Sequence, residues 1–256
     1  MEIKSISFSY DKKIDLLKSI STSIPQGKIT TIIGPNGCGK STLLSVMSRN
    51  HVPRDGHVVL DEKDIVEYKP KEFAKKLSIV HQQNEAPDDM TVEKLVAFGR
   101  IPYKKLLQGA ADEDEEAIEW ALTCTNLQDK RNKSIAALSG GERQRVWIAM
   151  SLAQKTPILF LDEPTTFLDI YYQIEILELV LYLNKTYGLT IVMVLHDINQ
   201  AIRYSNNMIV MKNGVIMCEG KPNDIMTEEI IKDIYGVDVA LKSDELSGLY
   251  MVPIGI

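Results

Sequence analysis

Apolar residues along the chain fall into two rhythms. Short unbroken runs, KITTIIG (28–34), PILFLD (157–162) and TIVMVLH (190–196), are rich in β-branched residues and end on Gly, Asp or His. Runs of that kind predict strands buried on both faces of a mainly parallel sheet. Between them, apolar positions recur at helical spacing in KSTLLSVMSR (40–49), ERQRVWIAMSLAQ (142–154) and QIEILELVLYLNKTYG (173–188). The alternation predicts a doubly wound α/β core. It breaks from about 85 to 157, where Ile118, Ala121, Leu122 and Thr125 keep helical spacing and no strand pattern intervenes, which predicts a helical insert. Near the N-terminus, EIKSISFSY and GHVVLDEKDI alternate as antiparallel strands do. After Pro222 the pattern predicts a helix closing at Gly236, then a small hairpin from VDVALK and LYMVPI. The expected division is a core of residues 1–84 and 158–221, a helical subdomain 85–157, and a C-terminal helix and hairpin 222–256.

Composition narrows the class without choosing a function. The 256 residues are 45% hydrophobic and 25% charged, ordinary for a globular domain. A net charge of −6 argues against a broad basic face, so no nucleic-acid partner is expected. Cys38, Cys124 and Cys218 are far apart, which points away from a disulfide framework or a zinc site and towards a reducing cytosol. The apolar runs are far shorter than a membrane span needs, and the first residues lack the apolar stretch of a signal peptide. The acidic run DEDEE (112–116) reads as the solvated first turn of a helix.

Candidate chemistry begins at GPNGCGKS (34–41), which matches G-x-x-x-x-G-K-[ST] between a predicted strand and a predicted helix. The bare pattern arises by chance in about one per cent of chains this long. The loop Gly34, Pro35, Asn36, Gly37, Cys38 and Gly39 turns backbone N–H groups inward, and the following helix N-terminus adds partial positive charge, a cradle for the phosphates of ATP. Lys40 is placed to reach the β- and γ-phosphates, Ser41 to ligate Mg²⁺, and Thr42 to donate to a phosphate oxygen. ILFLDE (158–163) then delivers two carboxylates from the end of a buried strand. Asp162 is assigned to Mg²⁺ and Glu163 to the attacking water. Backbone N–H groups and a helix dipole around Cys38 lead us to expect a lowered thiol pKa and the most reactive of the three cysteines.

The octapeptide LSGGERQR (138–145) resembles the signature motif of ABC ATPases. Ser139, Gly140 and Gly141 form a second anion nest on a helix N-terminus, although the nucleotide already has a cradle. The resemblance implies that this nest closes over ATP held by the opposite protomer, so that two equivalent sites form in a head-to-tail homodimer. It further implies that Tyr10 stacks on adenine, that Gln82 links Mg²⁺ and the water to the membrane partner, that Asp169 reaches across the dimer interface, and that His196 contacts the γ-phosphate. His51, His57 and His81 match no family position and read as surface or loop residues.

The expected fold is therefore a P-loop NTPase (RecA-like) core with an N-terminal antiparallel β subdomain and an inserted helical subdomain. Within the family, FGRIPY (98–103), DEPTTFLDI and VLHDINQAIRYSN look most like ATPases of ferric-siderophore importers, with haem, cobalamin or metal-ion importers as alternatives. Exporter ATPases, which share the catalytic residues, and soluble ABC proteins, which usually carry two cassettes, are more distant alternatives. The implied partners are integral membrane permease subunits, contacted around residues 82–107 with Tyr103 and Leu106 in the contact, and indirectly a periplasmic or lipoprotein binding protein. The implied location is the cytoplasmic face of the membrane, as a peripheral subunit.

Overall fold

The structure, a computed structural model, describes residues 1–11, 13–104 and 112–256. They form two compact units, one made of Met1–Glu67 with Thr190–Ile256 and the other of Tyr68–Leu189.

The first unit opens with β1 (Glu2–Phe8), β2 (Leu17–Ser23), β3 (Ile29–Ile33), α1 (Lys40–Met47), β4 (Asp55–Leu60) and the short β5 (Lys63–Asp64). Antiparallel pairing gives the order β2-β1-β4-β5, with Ile6 opposite Ile20 and Ile3 opposite Val58. Ile3 and Ile6 are both buried although they are three residues apart, which strict alternation forbids. A register shift between them, with Ser5 at φ 50°, keeps both on the core face.

The second unit contains α2 (Pro70–Phe73), β6 (Leu77–Val80), α3 (Val92–Ala97), a 3₁₀ segment Phe98–Tyr103, α4 (Asp112–Cys124), α5 (Gly140–Ala153), β7 (Ile158–Asp162) and α6 (Ile170–Tyr187). Strands β6 and β7 run parallel from the Leu77–Ile158 pair to the Val80–Leu161 pair. Helix α5 packs on α3 and α4, burying Leu95, Val96, Ala121, Leu122, Val146 and Ala149. The acidic run is not wholly solvated as expected. Asp114 points inward and accepts from Arg100 Nε at 2.7 Å, and Arg100 also donates to the Ala153 carbonyl. A buried guanidinium needs a buried carboxylate, and one position of the acidic turn supplies it.

The chain returns to the first unit with β8 (Thr190–Val194), α7 (Ile198–Tyr204), β9 (Asn207–Lys212), β10 (Val215–Gly220), α8 (Pro222–Ile225), α9 (Glu228–Tyr235) and the hairpin β11 (Asp238–Asp244)–β12 (Gly248–Gly255). Strand β3 lies between β8 and β9, parallel to both, and β10 is antiparallel to β9. Every residue of β3 and β8 is buried, as their unbroken apolar runs require. The hairpin is held by Asn199, whose side chain bonds the backbone of Met251 in both directions, and by Glu228, which accepts from the Leu241 N–H. Among the described residues no helix is long and apolar enough to cross a membrane.

Candidate nucleotide site

In the first unit the chain leaves β3 at Ile33, makes the glycine loop and re-enters regular structure at Lys40. Gly34 has φ +149°, and a Cβ there would stand 2.1 Å from the Met211 carbonyl oxygen of β9. The loop is thus pressed against a strand, and only glycine fits. Gly39 caps α1 without a side-chain bond, so no capping side chain occupies the helix's first N–H groups. Lys40 is buried and donates from Nζ to the carbonyls of Gly34 at 2.8 Å and Pro35 at 3.0 Å. An ammonium has three N–H donors, and these bonds engage two while holding the charge over the loop.

The Cys38 side chain corrects an expectation. It is buried beneath the loop, with Sγ 2.9 Å from where a Cβ on Gly34 would stand. Burial pushes its thiol above the ordinary value, against an opposing pull from Lys40, and burial does the same to Cys124 and Cys218. The Lys40 and Cys38 amides also pull the thiol down, but burial outweighs them, so Cys38 is a packing residue rather than a reactive handle. Tyr235, at the end of α9, approaches the same underside, its buried hydroxyl near Gly34 and Cys38.

Tyr10 follows β1 and remains 64% exposed. Its hydroxyl lies 3.2 Å from Thr42 Oγ1, tying it to the first turn of α1. His51, read from sequence as a loop residue, joins this group: its ring stacks on Phe8 at 5.1 Å and meets Tyr10 edge-on at 5.4 Å. A lone histidine 41 positions from Tyr10 carries no periodic signal that could have placed it there. His196 is exposed in the turn between β8 and α7, beside Asp197, which caps α7 by accepting from the Gln200 N–H at 2.7 Å.

The second unit holds the acidic pair and the nest. Strand β7 ends on Asp162, which is buried, and the next residue, Glu163, takes φ +51°. Because β6 and β7 are parallel, their carboxyl ends coincide. Gln82, two residues past β6, donates from Nε2 to Glu163 Oε2 at 2.5 Å, and Thr166 Oγ1 donates to the same oxygen at 3.1 Å. Two donors converge on one oxygen and anchor it, and of Gln82 and Gln83 it is Gln82 that carries this bond.

Ser139 caps α5, ahead of Gly140 and Gly141. Its Oγ accepts from the Glu142 N–H at 3.3 Å, and Glu142 Oε2 accepts from the Ser139 N–H at 2.8 Å. With the serine oxygen accepting, its O–H is directed elsewhere. Glu142 is also paired with Lys130, and these contacts hold its carboxyl at about 2. A depressed carboxylate contributes stability that is complete above its unfolded value and lost as pH falls through the folded one. We therefore expect part of the protein's acid sensitivity between about pH 4.5 and about 2 to disappear in Glu142→Gln, as read from thermal midpoints across that range. An unchanged pH profile would refute this role. Asp169 caps α6 by backbone only and is exposed, flanked by Phe167 (90% exposed), Ile170 and Tyr171, also exposed.

A glycine-walled phosphate loop opening a helix, with an acidic pair at a strand end and a serine-capped glycine nest, defines an ATP-binding cassette. The sequence profile described as ABC transporter matches residues 17–166, and the chain belongs to that family as an ATP-hydrolysing subunit. It is 46% identical to the ferric enterobactin transport ATP-binding protein FepC of Escherichia coli (strain K12) and 45% identical to the iron(3+)-hydroxamate import ATP-binding protein FhuC of Bacillus subtilis (strain 168), in each case over 95% of this chain and 90% of the relative. Its fold superposes with a TM-score of 0.74 on the dimeric post-hydrolysis cassette MJ0796 bound to ADP and Pi, at 30% identity, covering 86% of this chain and 98% of that one.

Proposed function

We propose that this chain drives an iron–siderophore importer, working as a nucleotide-sandwich homodimer on the cytoplasmic side of its permease. The observation that carries the cargo reading is the likeness, over nearly the whole chain, to subunits named for ferric enterobactin and iron(3+)-hydroxamate uptake. A periplasmic binding protein or lipoprotein that delivers the chelate is the indirect partner.

In this reading Tyr10 stacks on adenine, and the amides of residues 34–41 with Lys40 and Thr42 bind the phosphates. Ser41, Asp162 and Gln82 would hold Mg²⁺; one hydroxyl, one carboxylate and one amide suit a hard cation that arrives with the nucleotide and keeps its own waters. The chemistry such an ion would supply there is neutralisation of the charge on the phosphates. Glu163, oriented by Gln82 and Thr166, accepts the proton of the attacking water. His196 contacts the γ-phosphate. Ser139, Gly140, Gly141 and Asp169 serve the nucleotide of the opposite protomer, and the exposed apolar residues beside Asp169 supply contact area for it.

Contact with the permease is assigned to the segment after Gln82. Phe98 and Ile101 there are about half exposed. Tyr103 is instead tied inward, its hydroxyl donating to the Gln154 carbonyl at 2.9 Å and its ring covered by Arg100, so it packs the helical segment; Leu106 lies outside the described residues. The test is uptake of radiolabelled iron, presented as catecholate and hydroxamate chelates, in a deletion strain. Restoration by the wild-type chain and none by Lys40→Ala is the expected result. An ATPase-active wild-type chain that restores neither uptake would sink the cargo assignment.

A further inference from the structure

Tyr10 stands at the open end of β1, and a tyrosine 64% exposed to solvent has little reason to keep one orientation by itself. Four contacts give it one. Phe8 meets its ring at 4.9 Å and His51 at 5.4 Å, with interplanar angles of 90° and 89°. Phe8 and His51 are stacked on each other at 23°, so the two rings form one platform crossed by the phenol. At the far end the Tyr10 hydroxyl lies 3.2 Å from Thr42 Oγ1 and 3.5 Å from His51 Nε2. Perpendicular ring contacts of this kind are favoured by the aromatic quadrupole. The hydroxyl contact to His51 is at the outer limit of hydrogen-bond length and is the weaker part.

We propose that His51 is a positioning residue for the adenine base: with Phe8 it sets the plane of Tyr10, in register with Thr42, so that the exposed phenol face is ready for stacking. The inference rests on the assignment of Tyr10 and Thr42 as nucleotide contacts. His51 itself follows α1, with its N–H bonded to the Ser45 carbonyl at 3.2 Å, so the ring that orients the base contact is fixed to the helix that begins at the phosphate loop. One connected group therefore spans the two ends of the nucleotide. A preset ring saves ordering on binding, and the gain applies only to ligands that carry a base.

The experiment compares affinities for Mg-ADP and Mg-pyrophosphate by isothermal titration calorimetry on the full chain, since only the first has a base to stack. His51→Ala is expected to weaken Mg-ADP by about twofold to tenfold, the worth of an aromatic pair, and to leave Mg-pyrophosphate within about twofold. His51→Phe, which keeps a ring on Phe8 and beside Tyr10, is expected to restore Mg-ADP to within about twofold of wild type. Equal weakening of both ligands would mean that His51 merely supports the loop, and no weakening of either would return it to the surface; each overturns the proposal, as does a Phe variant as weak as the Ala variant. Tyr10→Ala separates this inference from its premise. If that variant binds Mg-ADP like wild type, the stacking assignment itself fails; if Tyr10→Ala weakens Mg-ADP and His51→Ala does not, only the role of His51 fails.

Discussion

Glu163→Gln is expected to lower ATP turnover by about 10²–10⁴-fold while leaving nucleotide affinity close to wild type. The amide is the same size and can still offer its oxygen to the Gln82 and Thr166 donors that now meet at Glu163 Oε2, so the loop after β7 keeps its shape. What is lost is the ability to take a proton from water. A nucleotide that binds and is not cleaved should also trap the assembled state. Light scattering with saturating Mg-ATP is expected to give a dimer for this variant and a monomer without nucleotide, because the proposed shared site takes Ser139 from a second copy. A variant that stays monomeric refutes the shared site, and one that retains turnover refutes Glu163 as the base.

The second large effect is expected at Gly34. An added Cβ would lie 2.1 Å from the Met211 carbonyl oxygen, a backbone atom of β9 just past the Ile33–Val210 pair, where Met211 is itself paired with Ile216 of β10. Neither side can retreat without opening the sheet, and φ +149° is unfavourable for any L side chain. Gly34→Ala is therefore expected to lose stability by about 2–4 kcal/mol and to weaken Mg-ADP by about 100-fold or more, because the cradle's first amide is displaced. Gly37→Ala is the contrast. Its φ of +76° is strained, but nothing lies within 4 Å of its added Cβ, so about 1 kcal/mol of strain is the expected stability loss. Thermal midpoints and calorimetric affinities for both variants decide the matter. Equal behaviour of the two would show that backbone strain, not collision with β9, governs the loop.

Much of this was already determined by the sequence alone. The apolar runs at 28–34, 157–162 and 190–196 became β3, β7 and β8, and the helical spacings became α1, α5 and α6, because burial on two faces or on one is written into consecutive residues. The phosphate loop and the capped nest are likewise local: the residues that shape them are adjacent, so their chemistry is legible as a motif. Tertiary structure decided what adjacency cannot encode. Gln82 meets Glu163 across 81 positions because two strands run parallel, and His51 reaches Tyr10 across 41 because α1 leads back towards the end of β1. Cys38 shows the same limit within the motif itself. Its place in the loop was readable, but whether its thiol faced the phosphates or the core depended on β9 and α9, whose Met211 and Tyr235 lie far along the chain. Asp114 turned inward for Arg100 while its acidic neighbours stayed out, since a run of like charges does not say which of its members a distant buried cation will claim.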